Sequence, residues 1–189
     1  MTPIPTVGGR SLVRDLTILL ALVAVVYANS FRAGFTLDND FFILGDERVH
    51  AASAANVRRI LSEDYTAPRF VTGVYRPLTT LSFLFNYAVL GGADDPVGYH
   101  LLNLLLHFGN TVLVYLLALA IVADAWSALF VAALFAAHPI ATEAVTNMVG
   151  RGDLLAAGSV LAGMLMYLRS IDARGWTRVA WLGCSRAAR

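Results

Sequence analysis

The segment HPIATEAVTNMVGRGD, residues 138–153, separates two strongly apolar runs at 125–137 and 154–168. It holds a proline, two carboxylates, an arginine and a histidine within 16 residues. A charged group inside a bilayer costs roughly 2.5–3.5 kcal/mol on insertion scales, so such groups are usually functional. The segment predicts a polar turn between two membrane helices, and this turn would form one wall of a membrane-embedded site.

The composition of the whole chain favours a membrane protein. Of its 189 residues, 58% are hydrophobic and 14% are charged, whereas about 25% of residues are charged in soluble domains. The net charge of +1 gives no basis for a nucleic-acid partner, which would need a basic surface. The single cysteine, Cys184, excludes an internal disulfide and a cysteine-based metal site. We predict no metal site.

The apolar runs predict an all-α integral membrane protein of about four transmembrane helices. The first run is residues 16–28, which extends to 12–31, and the others are 97–123, 125–137 and 154–168. The first is long enough to cross a ~30 Å hydrocarbon core, although a cleaved signal peptide is the alternative. The last two have 13 and 15 residues, or ~20 Å of helix each. They either extend into their flanks, or the polar turn dips into the membrane and lines a cavity.

Arginines flank the predicted spans on one side. They precede the first run and follow the fourth, at positions 10, 14, 169, 174 and 178. The positive-inside rule places these flanks in the cytoplasm. The loop 31–96 and the turn 138–153 are then both extracytoplasmic.

The large first loop is expected to carry two interfacial helices. Residues 49–64 show apolar positions on one side and charged positions opposite, as in an amphipathic surface helix. Residues 78–90 are apolar but interrupted by polar side chains, which favours a helix lying along the interface. The alternative is that 78–90 forms a fifth span, which would reverse the topology of everything after it.

Candidate functional residues in the loop are acidic and basic. Asp38, Asn39 and Asp40 follow the first span closely, and a carboxylate there could act as a general base; an ordinary turn is the alternative. Arg76 directly precedes the second interfacial helix. Its guanidinium could bind a phosphate, or its long side chain could reach the interface merely to stabilise the helix end.

The second span and the polar turn carry the remaining candidates. His100, Asn103, His107 and Asn110 are spaced by three, four and three residues and so share one helical face. We expect interhelical hydrogen bonds from this face, because histidines seven residues apart lie too far apart for one metal ion. In the turn, Glu143, Arg151 and Asp153 either line the site or form an internal ion pair.

Four ordered motifs carry a resemblance to a known family. They are FTLDN (35–39), YRPLT (75–79), GYHLLNLLLH (98–107), and HPIATEAV (138–145) followed by GRGDLL (150–155). Over residues 12–170 the chain resembles the amino-terminal membrane part of the transmembrane and tetratricopeptide-repeat protein O-mannosyltransferases and their bacterial relatives. These are membrane glycosyltransferases of the GT-C class.

The resemblance implies a polyprenyl-phosphate sugar donor and an extracytoplasmic acceptor such as a protein Ser or Thr; no other cofactor is expected. It implies that Asp38 is the base, and Glu143 and Asp153 of the polar turn are our further catalytic candidates. Substrate-binding candidates are Asn39, Asp40, Arg76, His100, His107, His138 and Arg151. Two positions depart from the family: Asn39 replaces an acid, for which Asp40 could substitute, and Ala141 replaces a second histidine.

The chain is short for this family. We expect a partial GT-C-like bundle over 1–170, with 171–189 forming a cytoplasmic loop and the start of a truncated span at 176–184. A companion chain would then complete the bundle, and the short chain could be inactive. We expect a bacterial inner membrane as its location. A non-catalytic membrane scaffold and a small transporter are the alternative functions.

Overall fold

The computed structural model describes residues 9–172 except 37, 68 and 94, and these described residues form helices and turns without a β-strand. The predicted all-α class is therefore confirmed for the described part. The helices are α1 Gly9–Val26, α2 Ala54–Ser62, α3 Pro77–Leu84, α4 Pro96–Val122, α5 Ala125–Ala137, α6 Ala141–Thr146 and α7 Arg151–Asp172. Shorter 3-10 turns lie at Ala28–Arg32, Glu47–Val49 and Met148–Gly150, and π-helical turns at Asp40–Leu44 and Phe85–Val89.

Two of the four predicted spans are supported. Among the described residues, Pro96–Val122 and Met148–Ile171 are long and apolar enough to cross a membrane. Helix α1 has 18 residues, but Arg10, Arg14 and Asp15 all fall within it, which lowers its apolar character. Helix α5 is apolar but has only 13 residues. The fourth run extends into both flanks, because α7 starts at Arg151 and ends at Asp172.

Local sequence explains where several helices begin and end. Asp124 caps α5, since its carboxylate accepts a hydrogen bond from the Ser127 amide at 2.8 Å. The helix ends at His138, which is extended, because Pro139 follows it and disfavours the helical conformation of the preceding residue. Pro77 takes the first position of α3, where its fixed φ suits a helix start. This start fixes the position of Arg76, the cap residue.

The two interfacial helices predicted in the first loop exist as helices. Within residues 49–64 the helix is α2, and it starts later than expected because the Ser53 hydroxyl caps it at the Asn56 amide, 3.1 Å away. Within 78–90 the helix is α3 followed by the π-helical turn Phe85–Val89. Their placement relative to a membrane stays a prediction. The predicted tail at 171–189 lies outside the described residues from position 173 onward.

The chain forms two compact units, which we call the helix unit and the loop unit. Of the described residues, the helix unit contains 9–26, 104–141 and 154–172. In it α1 packs against α5, around a core that includes Leu19, Tyr115 and Ala128.

The loop unit contains 27–103 and 142–153. Its core includes Ile43, Ile60, Tyr65, Phe83 and Met148. It holds the first loop and residues 142–153 of the polar turn, so most of the predicted site residues fall within this one unit.

Candidate functional site

Arg151 is the structural centre of the polar turn. Its side chain is fully buried, and its guanidinium nitrogens donate to acceptors on three other segments of the loop unit. These hydrogen bonds are Nε to Asn103 Oδ1 (2.8 Å), Nη1 to Asn86 Oδ1 (2.7 Å), Nη1 to Ser82 O (3.1 Å) and Nη2 to Tyr99 O (3.1 Å). We call Arg151 and these four partners the buried network. It ties the turn to α3 and to the start of α4.

All partners of Arg151 in the described part of the chain are uncharged. The guanidinium carbon also lies 5.0 Å from the centre of the Phe83 ring and 5.6 Å from that of Tyr99, close enough for cation–π attraction. No ion pair with Glu143 or Asp153 forms among the described salt bridges. The alternative of an internal ion pair is therefore wrong, and neutral acceptors hold the turn instead.

Asn39 joins the first loop to the same turn. It is buried, and its Oδ1 accepts a hydrogen bond from the Val149 amide at 3.2 Å. Its Nδ2 lies 3.3 Å from the Thr36 hydroxyl. At the position where the family resemblance implies an acid, this chain thus has a neutral side chain with a structural contact. That contact holds the adjacent Asp38, which is exposed, beside the turn.

Arg76 reaches the turn from the other side. Its side chain is exposed, and its guanidinium carbon lies 5.7 Å from the centre of the Tyr65 ring. A Cβ atom added at Gly152 would lie 3.1 Å from Nη1 of Arg76 and 3.4 Å from the Thr79 hydroxyl. Glycine at 152 therefore leaves space for the guanidinium next to Asp153, which is exposed.

Tyr65 lies beneath the Arg76 guanidinium, and its part in the site was not predicted from the sequence. Its ring stacks on Phe42, with centres 4.4 Å apart and planes 12° apart. Its hydroxyl interacts electrostatically with Arg76, Asp46, Asp38 and Asp153, and burial raises the pKa of this phenol above its ordinary range. We call Asp38, Tyr65, Arg76 and Asp153 the exposed cluster. Its three charged members are exposed, and Tyr65 is buried beside them. A lone tyrosine in a polar loop offers no periodic pattern that could have identified it.

The loop before Arg76 is folded around Asp64. This carboxylate accepts hydrogen bonds from the Thr66 amide at 2.9 Å, the Thr72 amide at 3.0 Å and the Gly73 amide. Donation by the backbone and hydroxyl of Thr66, followed by the other amides, holds the pKa of Asp64 well below its usual range. The Tyr65 amide then donates to the Val74 carbonyl at 2.7 Å. These bonds position Tyr65 and Arg76.

A buried ion pair between Arg48 and Asp46 bonds to the backbone of the Tyr65 loop. Arg48 and Asp46 are both buried, with their charged atoms 2.8 Å apart. Arg48 also donates to the Tyr65 carbonyl at 3.1 Å and the Asp64 carbonyl at 2.9 Å. These bonds hold the backbone of Asp64 and Tyr65 in place.

The two buried histidines bond to backbone carbonyls. In the loop unit, His100 Nε2 lies 2.9 Å from the Ala33 carbonyl. In the helix unit, His107 Nε2 lies 3.1 Å from the Ala136 carbonyl on α5, and Asn110 donates to the Leu154 carbonyl on α7 at 2.9 Å. The prediction of interhelical hydrogen bonds from this face of α4 is confirmed.

Three further candidates are exposed and lie outside these hydrogen-bond networks. Glu143 is in the first turn of α6 and Asp40 begins a π-helical turn. His138, in the helix unit, accepts a hydrogen bond from the Ile140 amide at 3.2 Å through Nδ1. The structure thus places Arg76 beside Gly152 and Asn39, the neighbour of Asp38, against Val149 of the same turn. Roles for Asp40, Glu143 and His138 stay predictions.

Comparison with known proteins connects this arrangement to one family. The chain is 40% identical over 174 residues to protein O-mannosyl-transferase Tmtc2 of Drosophila melanogaster, covering 86% of this chain and 18% of that protein. It is 39% identical over 160 residues to Tmtc1 of Drosophila melanogaster, covering 82% and 18%. It is 34% identical over 161 residues to TMTC3 of Homo sapiens, covering 83% and 17%. The chain therefore spans less than a fifth of the length of these relatives.

Two other comparisons gave no match. No family model matches the chain, and no solved structure matches it. The relatives and the geometry of the loop unit are thus the two grounds for a functional proposal.

Proposed function

The chain is a homologue of the Tmtc protein O-mannosyl-transferases, and on that premise we propose that it acts in the transfer of mannose to an extracytoplasmic hydroxyl group. The donor in this proposal is a polyprenyl-phosphate mannose, and the acceptor is a hydroxyl such as that of a protein Ser or Thr. The observation that carries the proposal is that Arg76 lies over Tyr65 and beside Gly152, while Asn39, next to Asp38, bonds to Val149 of the same turn.

The residue types of the exposed cluster suit this chemistry. The acceptor oxygen forms a bond to the anomeric carbon of the sugar, and the bond from that carbon to the phosphate oxygen breaks. The phosphate leaves as an anion and needs little protonation, unlike the leaving oxygen of a glycosidase substrate. One carboxylate base and one cation can therefore serve the reaction.

We assign the base to Asp38 and the phosphate contact to Arg76. Asp38 is exposed, so an acceptor hydroxyl can reach it and transfer its proton. Arg76 is exposed and carries a planar fork of donors suited to phosphate oxygens. Asp153 is the second candidate base. Arg151 acts by position, because the buried network already uses its donors.

The donor would be bound from the membrane. Two helices of suitable length and apolar character support a membrane location, and a polyprenyl chain is soluble only there. The named relatives are animal proteins, so a bacterial inner membrane stays a prediction. We further propose that the complete reaction uses membrane segments equivalent to those of the longer relatives.

The test replaces Asp38 with alanine and measures mannose transfer from labelled polyprenyl-phosphate mannose in membranes that contain the chain. General-base catalysis contributes roughly 10²–10⁴-fold, so we expect transfer to fall by that factor while the protein level in the membrane stays normal. Glu47→Ala is the matched control, because Glu47 is an exposed acid of the same unit. Normal transfer by Asp38→Ala would refute the role of Asp38.

Binding separates this function from the alternatives. A scaffold or a small transporter would not need polyprenyl-phosphate mannose, and its behaviour would not depend on Arg76. We expect the chain to bind this donor and Arg76→Ala to weaken the binding. If the unaltered chain fails to bind the donor, the proposed function is wrong.

A further inference from the structure

The Tyr65 hydroxyl is buried yet has no hydrogen-bond partner among the described residues. The residue is only 7% exposed. Buried polar groups are nearly always hydrogen-bonded, and one that is not carries a cost in folding stability. A phenylalanine at this position would preserve the stacking on Phe42 without that cost. The hydroxyl therefore needs an explanation beyond packing.

The surroundings of the hydroxyl favour an anionic partner. Arg76 and Arg151 both interact electrostatically with Tyr65. Arg151 is a buried cation with only neutral partners, so its charge is not cancelled locally. The nearby carboxylates Asp38 and Asp153 accept no hydrogen bond from the tyrosine. A group that brings its own negative oxygen beside Arg76 would satisfy the hydroxyl.

We propose that the Tyr65 hydroxyl donates a hydrogen bond to a phosphate oxygen of a ligand whose phosphate also contacts the Arg76 guanidinium. This inference rests on the proposed function and adds a binding residue to it. A hydroxyl that donates to an anionic oxygen forms a charge-assisted bond, which is stronger than a neutral one. Tyr65 would thus orient the phosphate while Arg76 balances its charge.

Access to the hydroxyl requires a movable neighbour. The hydroxyl oxygen is not reached by solvent in this structure, so a ligand contacts it only after a side chain shifts. Arg76 is exposed and lies over the Tyr65 ring, and its long side chain can turn toward a phosphate without any change in the backbone. The phosphate and the Arg76 guanidinium would then lie together in the space next to the Tyr65 hydroxyl.

Two sources could supply this phosphate, namely a polyprenyl-phosphate sugar and the headgroup of a bilayer phospholipid. The test uses the 189-residue chain in nanodiscs made of a neutral lipid whose headgroup contains no phosphate. Affinities are measured for polyprenyl-phosphate mannose, for polyprenyl phosphate and for an added anionic phospholipid. The variant is Tyr65→Phe, and the matched control is Tyr87→Phe, which makes the same change at a partly buried tyrosine packed against the same core.

We expect Tyr65→Phe to weaken binding of the polyprenyl-phosphate ligands by roughly tenfold or more, as for loss of a hydrogen bond to a charged group. Tyr87→Phe should leave the affinity unchanged. In the absence of ligand, Tyr65→Phe should be at least as stable as the unaltered chain, because it removes an unsatisfied buried hydroxyl. A merely structural hydroxyl would give the opposite result, with lower stability and unchanged affinity.

The remaining outcomes are distinguishable. If Tyr65→Phe binds the donor normally while Arg76→Ala does not, the Tyr65 inference is overturned and the proposed function stands. If only the phospholipid binds and the binding depends on Tyr65, the inference holds with the bilayer as its source, and the proposed function is overturned. If the unaltered chain binds none of the three ligands, both proposals are overturned.

Discussion

The buried network and the exposed cluster both contain an arginine beside the same turn, yet the two arginines have opposite surroundings. Arg151 is fully buried, and its nitrogens donate to side-chain and backbone oxygens of four neighbours. Arg76 is exposed and lies over an aromatic ring, with carboxylates and an unbonded hydroxyl nearby. Residue type alone does not distinguish them.

The difference indicates a division between stability and binding. A buried guanidinium is costly to remove because its partners lose their hydrogen bonds. An exposed guanidinium contributes little to stability, since water screens its interactions, and it stays available for a ligand. Only Gly152 separates Arg151, in the buried network, from Asp153, in the exposed cluster.

The largest expected effect follows from removing the centre of the buried network. Arg151→Ala would leave Asn103, Asn86 and the Tyr99 carbonyl without their donor, so we expect the free energy of unfolding to fall by about 3 kcal/mol or more. Thermal unfolding of the purified protein measures this loss. The control Arg76→Ala should unfold at the temperature of the unaltered chain. If Arg151→Ala were as stable as the unaltered chain, the buried network would not be what stabilises the turn.

A smaller effect is expected from a pair of glycine substitutions in the same turn. A Cβ at Gly150 would lie 2.6 Å from the Ala144 carbonyl oxygen, whereas at Gly152 it would lie 3.1 Å from the end of the Arg76 side chain. The backbone cannot move aside cheaply, so Gly150→Ala should destabilise the protein by about 1–3 kcal/mol, as overpacking does. The flexible arginine can move, so Gly152→Ala should cost little stability.

For ligand affinity we expect the opposite order of the two glycine variants, with the larger loss in Gly152→Ala. Gly152→Ala should displace the Arg76 guanidinium and so weaken binding of polyprenyl-phosphate mannose several-fold. We expect the loss to stay below tenfold, which corresponds to about 1.4 kcal/mol. Unfolding and binding measurements on both variants test the pair. Equal losses of stability in the two variants would contradict the division between the buried network and the exposed cluster.

The sequence was a good guide where structure depends on neighbours in the chain. Helix α5 has the predicted bounds, because Asp124 caps its start and Pro139 ends it. The polar face of α4 was predicted from helical spacing and does form interhelical hydrogen bonds. The position of Arg76 just before a helix follows from Pro77 in the same way.

The sequence was a poor guide to contacts between distant segments. Arg151 bonds to Asn103 and Asn86, which are 48 and 65 positions away, so spacing could not distinguish neutral partners from the nearer acids Glu143 and Asp153. Tyr65 joins the site through the folding of its loop, which no local pattern encodes. The other two predicted spans stay predictions, because α1 carries charges at its start and α5 has only 13 residues.

The smallest expected effect concerns the loop that carries the exposed cluster. Asp64 has a lowered pKa because amides and a hydroxyl donate to its ionised form. Its contribution to stability is therefore fully present above the unfolded pKa of about 3.9 and is lost as the pH falls through the lower, folded pKa. We expect hydrogen exchange at Thr72 and Gly73, corrected for intrinsic rates, to stay slow from pH 7 down to about pH 4.

Asp64→Asn tests whether this loop holds the exposed cluster independently of the buried network. The amide side chain keeps one acceptor oxygen but loses the charge that three backbone amides share, so exchange at Thr72 and Gly73 should become faster at neutral pH. The Val149 amide, bonded to Asn39 beside the buried network, should keep its protection. Faster exchange at Val149 as well would mean that the two regions open together, because a loop that was merely attached to the turn could loosen without disturbing it.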